Sequence, residues 1–254
     1  MKCAKRVLIV LLGIMLGFLS GCMLPTNKPL SILSYPSSTI VEEGVEDSRE
    51  LIVLLRGRRG SNRNFEKYNW IELIHSRFPN ADILAPDTHL GYYMARSVSD
   101  RLHEDIIGAK TQNGESHYTK VIVIGVSMGS LGALLYESEY PDMVDQYYLI
   151  APYLGYEKVE TDINEKGGLS DWGEQNENPK QEERWPYKLW GWIADEHEVF
   201  SPRVKIGYGR QDRYSNGQEM FATLISDEDV VITNGEHNYV DFTEMLSKLL
   251  ELSD

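Results

Sequence analysis

The chain has 254 residues, of which 25 are Lys or Arg and 39 are Asp or Glu, so its formal net charge at pH 7 is −14. Such an acidic protein is a poor partner for a phosphate backbone, which argues against nucleic-acid binding. Its two cysteines, Cys3 and Cys22, both lie within the first 22 residues, and its six histidines lack the paired helical spacing of zinc sites. We therefore expect no internal disulfide, no metal and no cofactor.

The first 22 residues are typical of an export signal. Lys2, Lys5 and Arg6 precede an apolar stretch at 7–19, which at 13 residues is short for a membrane-spanning helix of about 20. The stretch leads into Leu-Ser-Gly-Cys at 19–22. This ending is similar to the lipobox of bacterial lipoproteins, in which the cysteine becomes the lipid-modified first residue after cleavage. The leader is therefore predicted to cover residues 1–21.

The resemblance to a lipoprotein implies a membrane anchor of acyl chains, such as palmitate, on Cys22. More than one chain makes a lasting anchor, since each buried methylene contributes about 0.8 kcal/mol. Cleavage would leave 22 basic against 39 acidic residues, a net charge of −17. Met23 replaces the aspartate that is linked with inner-membrane retention, so the resemblance favours an outer-membrane location in a bacterial cell envelope. The alternative is an uncleaved signal anchor with an incidental cysteine.

The remaining chain is predicted to form a tether with an early strand over 22–48 and one domain over 49–254. Short apolar strands alternate there with amphipathic helical patterns, which indicates an α/β fold with a mostly parallel sheet and helices on both faces. The strands are predicted at Leu51–Leu55, Ala81–Ala85, Val121–Ile124, Gln146–Ile150, Val204–Tyr208 and Val230–Thr233. The helices are predicted at Asn69–Arg77, Ala95–Ala109, Ser130–Tyr140 and Val240–Leu252.

The most informative motif is Gly-Val-Ser-Met-Gly at 125–129. It directly follows the β-branched run Val121–Ile124 and precedes a helix start rich in small residues. A serine between two glycines, on a turn from a strand to a helix, is the arrangement that exposes a hydroxyl for nucleophilic attack. Ser127 is therefore a candidate nucleophile, the alternative being a plain turn with a surface serine.

Two later strands end in further reactive groups. The strand Val204–Tyr208 is followed by a loop that contains Asp212, and the strand Val230–Thr233 is followed by a loop that contains His237. Ligands and catalytic groups of open α/β sheets collect at these carboxyl ends. An ion pair of Asp212 with a neighbouring arginine, and a capping or core role for His237, are the alternatives.

The chain resembles the α/β-hydrolase family over most of its length. The order of the nucleophile elbow, a late acid and a histidine before the final helix is that of the family. Ala-Pro-Asp at 85–87 and the Tyr-Pro passage at 140–141, with its following strand, are also similar to family patterns. The resemblance implies an α/β-hydrolase fold, with Ser127 as nucleophile, His237 as base and Asp212 as orienting acid.

The chemistry of these residue types supports the same roles. A serine hydroxyl needs a nearby base that titrates near neutral pH, and a histidine acting as that base needs a carboxylate to fix its tautomer. Three other acids compete with Asp212 for this position. Asp227 and Asp229 precede the last strand, and Asp241 lies in the final helix.

Acyl transfer also requires donors for the oxyanion. The backbone N–H of Met128 is one candidate, and the backbone N–H of Arg58, in the loop after the first domain strand, is the other. Many family members have His-Gly where this chain has Arg56-Gly57, which leaves the loop geometry open. Arg56, Arg58, Arg59 and Arg63 form a basic cluster. It could bind an anionic substrate group, or its members could be solvated or paired with local acids.

Residues 155–200 differ in composition from their surroundings. Between Glu157 and Glu198 there are 12 acidic and 5 basic residues, interleaved with several tryptophans. The family resemblance implies a lid insertion here, with its aromatic residues over the acyl pocket. The alternative is a solvated excursion whose tryptophans pack onto the body.

These observations predict a lipid-anchored serine esterase that acts on a small acyl substrate through an acyl-enzyme intermediate. A peptidase, a thioesterase and an acyltransferase share the same machinery, and the sequence does not choose among them. The alternative from another class is an inactive binding protein of the same fold. It has no physical need for all three of Ser127, Asp212 and His237.

Overall fold

The computed structural model describes residues 24–37, 49–111, 118–169, 171–172 and 184–252. The predicted leader at 1–21 and the lipid-modified Cys22 lie outside these residues. Within the described ranges, no helix is long and apolar enough to cross a membrane.

The described residues form one seven-stranded sheet in the order β1-β3-β2-β4-β5-β6-β7. The first strand, β1, pairs antiparallel with β3, and every other pairing is parallel. The prediction of a mostly parallel sheet is confirmed. The strands are β1 (Ile32–Tyr35), β2 (Arg49–Leu55), β3 (Ala81–Pro86), β4 (Tyr118–Val126), β5 (Gln146–Ile150), β6 (Val204–Gly209) and β7 (Val230–Thr233).

Helices cover both faces of this sheet. They are α1 (Asn64–Lys67), α2 (Trp70–Arg77), α3 (Leu90–Met94), α4 (Val98–Leu102), α5 (Gly108–Thr111), α6 (Met128–Glu139), α7 (Glu157–Glu165), α8 (Trp185–Phe200), α9 (Ser215–Ala222) and α10 (Tyr239–Glu251). A π-helical turn, His103–Ile107, joins α4 to α5, and 3₁₀ turns lie at Ser201–Arg203 and Asp227–Asp229.

The alternation of side chains along the central strands divides the core in two. On β2, Leu51, Val53 and Leu55 face one cluster, and Ile52 and Leu54 face the other. The first cluster packs beneath α6, α8 and α9, and the second packs beneath α2 and α10. Because both faces are covered, these strands are continuously apolar, as expected of a parallel sheet.

The predicted helix over Ala95–Ala109 is interrupted in the structure. The helix α3 ends before it, and Arg96 adopts a left-handed conformation with φ 56°. The regular helix then restarts at Val98. The apolar periodicity of the sequence runs through this break, and arginine is not a residue that usually marks a left-handed position.

The start of α6 lies directly over the end of β2. Gly129, the second residue of α6, faces the backbone there: a Cβ at this position would overlap the carbonyl oxygen of Leu55 and lie 2.9 Å from that of Arg56. The helix can approach the strand this closely because position 129 has no side chain.

Gly129→Ala is expected to lower the free energy of unfolding by about 2 kcal/mol, because the obstructing atoms belong to the backbone and cannot rotate away. Gly191→Ala is the matched control. Gly191 lies within α8, and a Cβ there would meet nothing within 4 Å. This control should raise stability by up to about 1 kcal/mol. Urea denaturation measures both, and equal stability of the two variants would contradict this packing.

Candidate active site

Ser127 occupies a strained turn between β4 and α6. Its backbone dihedral angles are φ 54° and ψ −114°, and only 7% of the residue is exposed. The turn is held by hydrogen bonds: the Ser127 N–H donates to the Ile150 carbonyl at 2.8 Å, and the Ser127 carbonyl accepts from Tyr153 N–H at 3.2 Å. Non-glycine residues persist in such conformations when the surroundings fix them, and they cluster at functional sites.

Gly125 and Ser130 complete this turn. A Cβ on Gly125 would lie 2.7 Å from the backbone of Gly129 and of Ser130, so a larger residue would push the helix away from the strand. The Ser130 hydroxyl is turned inward and donates to the Gly125 carbonyl at 2.8 Å. The two serines of the turn therefore have different environments, one internal and one beside the loops of β6 and β7.

A chain of hydrogen bonds joins Ser127 to His237 and Asp212. Ser127 Oγ lies 2.8 Å from His237 Nε2, and His237 Nδ1 lies 2.6 Å from Asp212 Oδ2. The Asp212 side chain is fully buried. An ionised carboxylate can only accept, so in the neutral ring the proton is on Nδ1 and Nε2 is free to accept from the serine hydroxyl. The three residues, predicted from separate strand ends, are brought together.

The loops of β6 and β7 are joined by backbone hydrogen bonds, which fixes the separation of the acid and the histidine. Arg210 N–H donates to the Thr233 carbonyl at 2.9 Å, and Gln211 N–H donates to the Gly235 carbonyl at 3.2 Å. A Cβ on Gly209 would overlap Gly235, so the approach requires glycine at position 209.

The imidazole is held by packing as well as by hydrogen bonding. The rings of Tyr214 and Phe242 meet the His237 ring edge-on, with centroids 5.0 and 4.9 Å away. The second oxygen of Asp212 accepts from Tyr214 N–H at 2.9 Å. Tyr214 therefore supports both the acid and the ring that the acid contacts.

The N-terminal cap of α10 fixes the backbone on both sides of His237. Asn238 accepts from the N–H groups of Val240 and Asp241 at 3.0 and 3.2 Å. Asp241 in turn accepts from Glu236 N–H at 2.7 Å and from the Asn238 amide at 2.6 Å. The cap resembles a capping box, except that Asp241 accepts from the N–H of Glu236 and not from that of the capping residue.

The competing acids have other partners or lie elsewhere in the fold. Asp241 belongs to the cap just described, and Asp229 forms an ion pair with Lys205. Asp227 lies in the 3₁₀ turn before β7. Arg213, one of the arginines considered as a partner for Asp212, lies over the ring of Tyr214 at 4.8 Å.

The loop after β2 passes beside Ser127 and is organised by Arg56. Arg56 is 5% exposed, and its guanidinium group forms an ion pair with Asp87, which follows β3. It also donates to the carbonyls of Gly57 at 3.1 Å and Gly60 at 3.0 Å. A Cβ on Gly57 would lie 3.4 Å from the Ser127 Cβ. Arg56 therefore holds this loop against the serine, a role that the sequence did not reveal.

The two predicted oxyanion donors directly follow Ser127 and Gly57 in the chain. Met128 is the first residue of α6, so its N–H has no acceptor within the helix and lies at the positive end of the helix dipole. Arg58 directly follows Gly57 in the loop that passes Ser127. Both residues line the large cavity beside the site.

The basic cluster seen in the sequence separates into four different environments. Arg56 is buried and paired, and Arg63 lies 3.6 Å from Glu66 across an exposed helix start. Arg59 is exposed. Arg58 lines the cavity.

This cavity has a volume of about 980 Å³ and runs along α6. The region at 155–200 contributes part of its wall: Tyr156, Trp185 and Trp192 line it, whereas Trp172 and Trp190 are buried in the core. The described part of this region therefore both lines the cavity and packs into the core.

Within the described ranges, no group of three or more His, Cys, Asp or Glu side chains is arranged to hold a metal ion.

Solved structures of low sequence identity share this architecture. The S-formylglutathione hydrolase of Staphylococcus aureus matches with a TM-score of 0.59 and 12% identity over 91% of this chain and 99% of its own. An S-formylglutathione hydrolase of Agrobacterium tumefaciens matches with a TM-score of 0.57 and 15% identity, over 90% and 91%. Est1E of Butyrivibrio proteoclasticus, solved with ferulic acid, matches with a TM-score of 0.55 and 15% identity, over 87% and 92%.

The chain has the α/β-hydrolase fold. No protein-family model matches it, and no curated protein sequence matches it significantly.

Replacing Arg56 with glutamine tests the organisation of the β2 loop. We expect Arg56→Gln to lower the free energy of unfolding by about 2 to 3 kcal/mol, because the variant removes a buried charged donor from several acceptors at once. Arg59→Gln is the matched control and should change stability by less than about 0.5 kcal/mol, since Arg59 is exposed. Chemical denaturation measures both. A loss no greater than that of the control would show that Arg56 does not hold the loop.

Proposed function

We propose that this protein is a serine hydrolase that cleaves a carboxylic ester or a related acyl bond. The observation that carries the proposal is the continuous chain Ser127–His237–Asp212, with heavy-atom distances of 2.8 and 2.6 Å, at a strained turn of the α/β-hydrolase fold. One structural neighbour is named as an S-formylglutathione hydrolase and another was solved with ferulic acid bound; these names support a hydrolase but do not choose the substrate.

The proposed reaction has two steps. His237 Nε2 accepts the proton of Ser127 Oγ as that oxygen attacks the acyl carbon, and the oxyanion accepts from the N–H groups of Met128 and Arg58. The C–O bond of the substrate then breaks, and the imidazolium returns its proton to the departing alcohol. Water, deprotonated by the same ring, then attacks the acyl carbon. The bond from that carbon to Ser127 Oγ breaks, the imidazolium returns its proton to Oγ, and the carboxylic acid leaves. Asp212 stabilises the imidazolium formed in each step.

This proposal predicts selective labelling of Ser127. A fluorophosphonate probe should attach to Ser127, and Ser127→Ala should abolish both labelling and ester hydrolysis. Asp212→Asn should lower kcat by about 10⁴-fold, because the amide favours the wrong tautomer of His237. Ser76→Ala, an exposed serine on α2, is the control and should label normally. Mass spectrometry of the tryptic peptides locates the probe.

Folded protein that leaves Ser127 unlabelled would contradict the hydrolase and favour the binding protein of the same fold. A thermal melt of the same sample shows whether the unlabelled protein is folded, which separates this outcome from misfolding.

We also propose that the protein is anchored to a bacterial membrane through Cys22. Leu24, the first described residue, has its carbonyl against Gly91 of α3, and Thr26 N–H donates to the Gly91 carbonyl at 3.1 Å. The same short helix contributes Leu90 and Met94 to the cavity wall. Two residues span at most about 7 Å, so a lipid on Cys22 would keep the cavity close to the membrane surface.

Mass spectrometry of protein expressed in a bacterial host tests the anchor. We expect the mature protein to begin at Cys22 and to carry acyl chains, and Cys22→Ser to leave the membrane fraction. Cys3→Ser is the matched control, since position 3 lies in the leader, and should retain the lipid. An intact leader, or an unmodified thiol at position 22, would contradict the proposal.

A further inference from the structure

The cavity beside Ser127 has a charge opposite to that of the whole protein. The chain has 39 acidic and 25 basic residues, yet the cavity is lined by four cations and a single carboxylate, Glu139. The cations come from three separate stretches of the chain, namely the β2 loop, the end of α3 and the start of α8. They are Arg58, Arg96, Arg184 and Lys188.

All four of these residues are exposed to solvent. Among the described residues, none of them forms an ion pair, whereas Arg49, Arg56, Arg101 and Arg203 each pair with a carboxylate. Cations that outnumber the carboxylates in the lining of one cavity give it a positive potential, which favours an anionic ligand.

A second observation concerns the backbone at Arg96, whose conformation is unusual for arginine. Ser97 N–H donates to the Tyr92 carbonyl at 3.0 Å and Arg96 N–H to the Tyr93 carbonyl at 3.1 Å, which is the hydrogen-bond pattern of a Schellman motif. Arg96 therefore occupies the left-handed position of that motif, with φ 56°, where glycine is the usual residue. A strained arginine at this position is a cost to folding, and it borders the cavity.

Most of the other lining residues are apolar or aromatic, with Leu131, Leu135 and Leu189 in the wall and Ser99 and Ser138 as polar members. Glu139 is the one carboxylate in the lining; burial, and then the nearby Asp100, raise the pKa of its carboxyl group. An amphiphile with a hydrocarbon segment and one anionic group matches this lining.

We propose that the substrate carries a carboxylate or phosphate that Arg96, Arg184, Lys188 and the Arg58 side chain bind in this cavity. The inference rests on the proposed hydrolase function and names its substrate class. The anionic group could belong to a soluble acid ester or to the headgroup of an anionic phospholipid. The experiment has an arm for each.

The first test compares 4-nitrophenyl octanoate with the mono-4-nitrophenyl ester of suberic acid, which adds a carboxylate at the far end of the chain. The full-length protein should have a higher kcat/KM for the suberate ester. Removal of each cation, as Arg96→Gly, Arg184→Gln or Lys188→Gln, should lower the ratio of anionic to neutral kcat/KM by about threefold to fivefold. The triple variant should lower it by about thirtyfold or more, and salt should weaken the preference.

Two controls separate ligand binding from structure. Arg59→Gln removes the same charge outside the cavity and should leave the ratio unchanged. Arg96→Gly should melt no lower than the unmodified protein, since glycine suits the left-handed position. A ratio that stays constant in the triple variant, or that falls equally in Arg59→Gln, would overturn the proposal.

A binding measurement keeps this proposal distinct from the proposed function. Titration of monomethyl suberate into the Ser127→Ala protein needs no chemistry, and the triple variant should bind at least tenfold more weakly. Equal binding would overturn the anion site even if Ser127 labels. If the triple variant binds more weakly but Ser127 of the unmodified protein is not labelled by the fluorophosphonate, the anion site stands and the hydrolase proposal is contradicted.

The second arm uses protein reconstituted in phosphatidylcholine vesicles with and without phosphatidylglycerol. Release of fatty acid preferentially from phosphatidylglycerol, lost in the triple variant, would identify an anionic lipid as the source. Preference for the soluble suberate ester alone would identify a soluble acid ester. Preferential release from phosphatidylcholine, together with equal kcat/KM for the two soluble esters, would contradict the proposal.

Discussion

The candidate site depends on one strained backbone turn at Ser127. A residue with φ 54° and ψ −114° is held there only because β4, β5 and α6 fix the peptide groups on both sides of it. The absence of side chains at Gly125 and Gly129 allows strand and helix to approach closely enough for this. If the turn relaxed, the hydroxyl would leave the reach of His237, and the hydrogen-bond chain would be lost.

The other loops of the site are held in place next to Ser127 by their own hydrogen bonds. Backbone hydrogen bonds join the β6 and β7 loops and set the separation of Asp212 and His237, while the cap of α10 holds the backbone around the histidine. On the opposite side, Arg56 gathers the carbonyls of the β2 loop and pairs with Asp87. Rigid strand ends therefore position each reactive group, and loop hydrogen bonds supply the remaining accuracy.

The strands and the candidate site residues could be predicted because their signals are local. A β-branched run predicts a buried strand, and the carboxyl ends of parallel strands meet at one edge of the sheet. The ion pair of Arg56 with Asp87 joins residues 31 positions apart, and no local pattern marks it. The helix break at Arg96 could not be predicted, because arginine seldom occupies a left-handed position and the apolar periodicity continues through it. The four cavity cations become a group only when three distant segments fold together.

The most direct test of the account is the crystal structure of the protein after reaction with a fluorophosphonate. We predict phosphorus bonded to Ser127 Oγ, an unchanged positive φ at Ser127, and a phosphoryl oxygen within hydrogen-bond distance of the N–H groups of Met128 and Arg58. An adduct on another residue, or a phosphoryl oxygen that faces away from both N–H groups, would contradict the account.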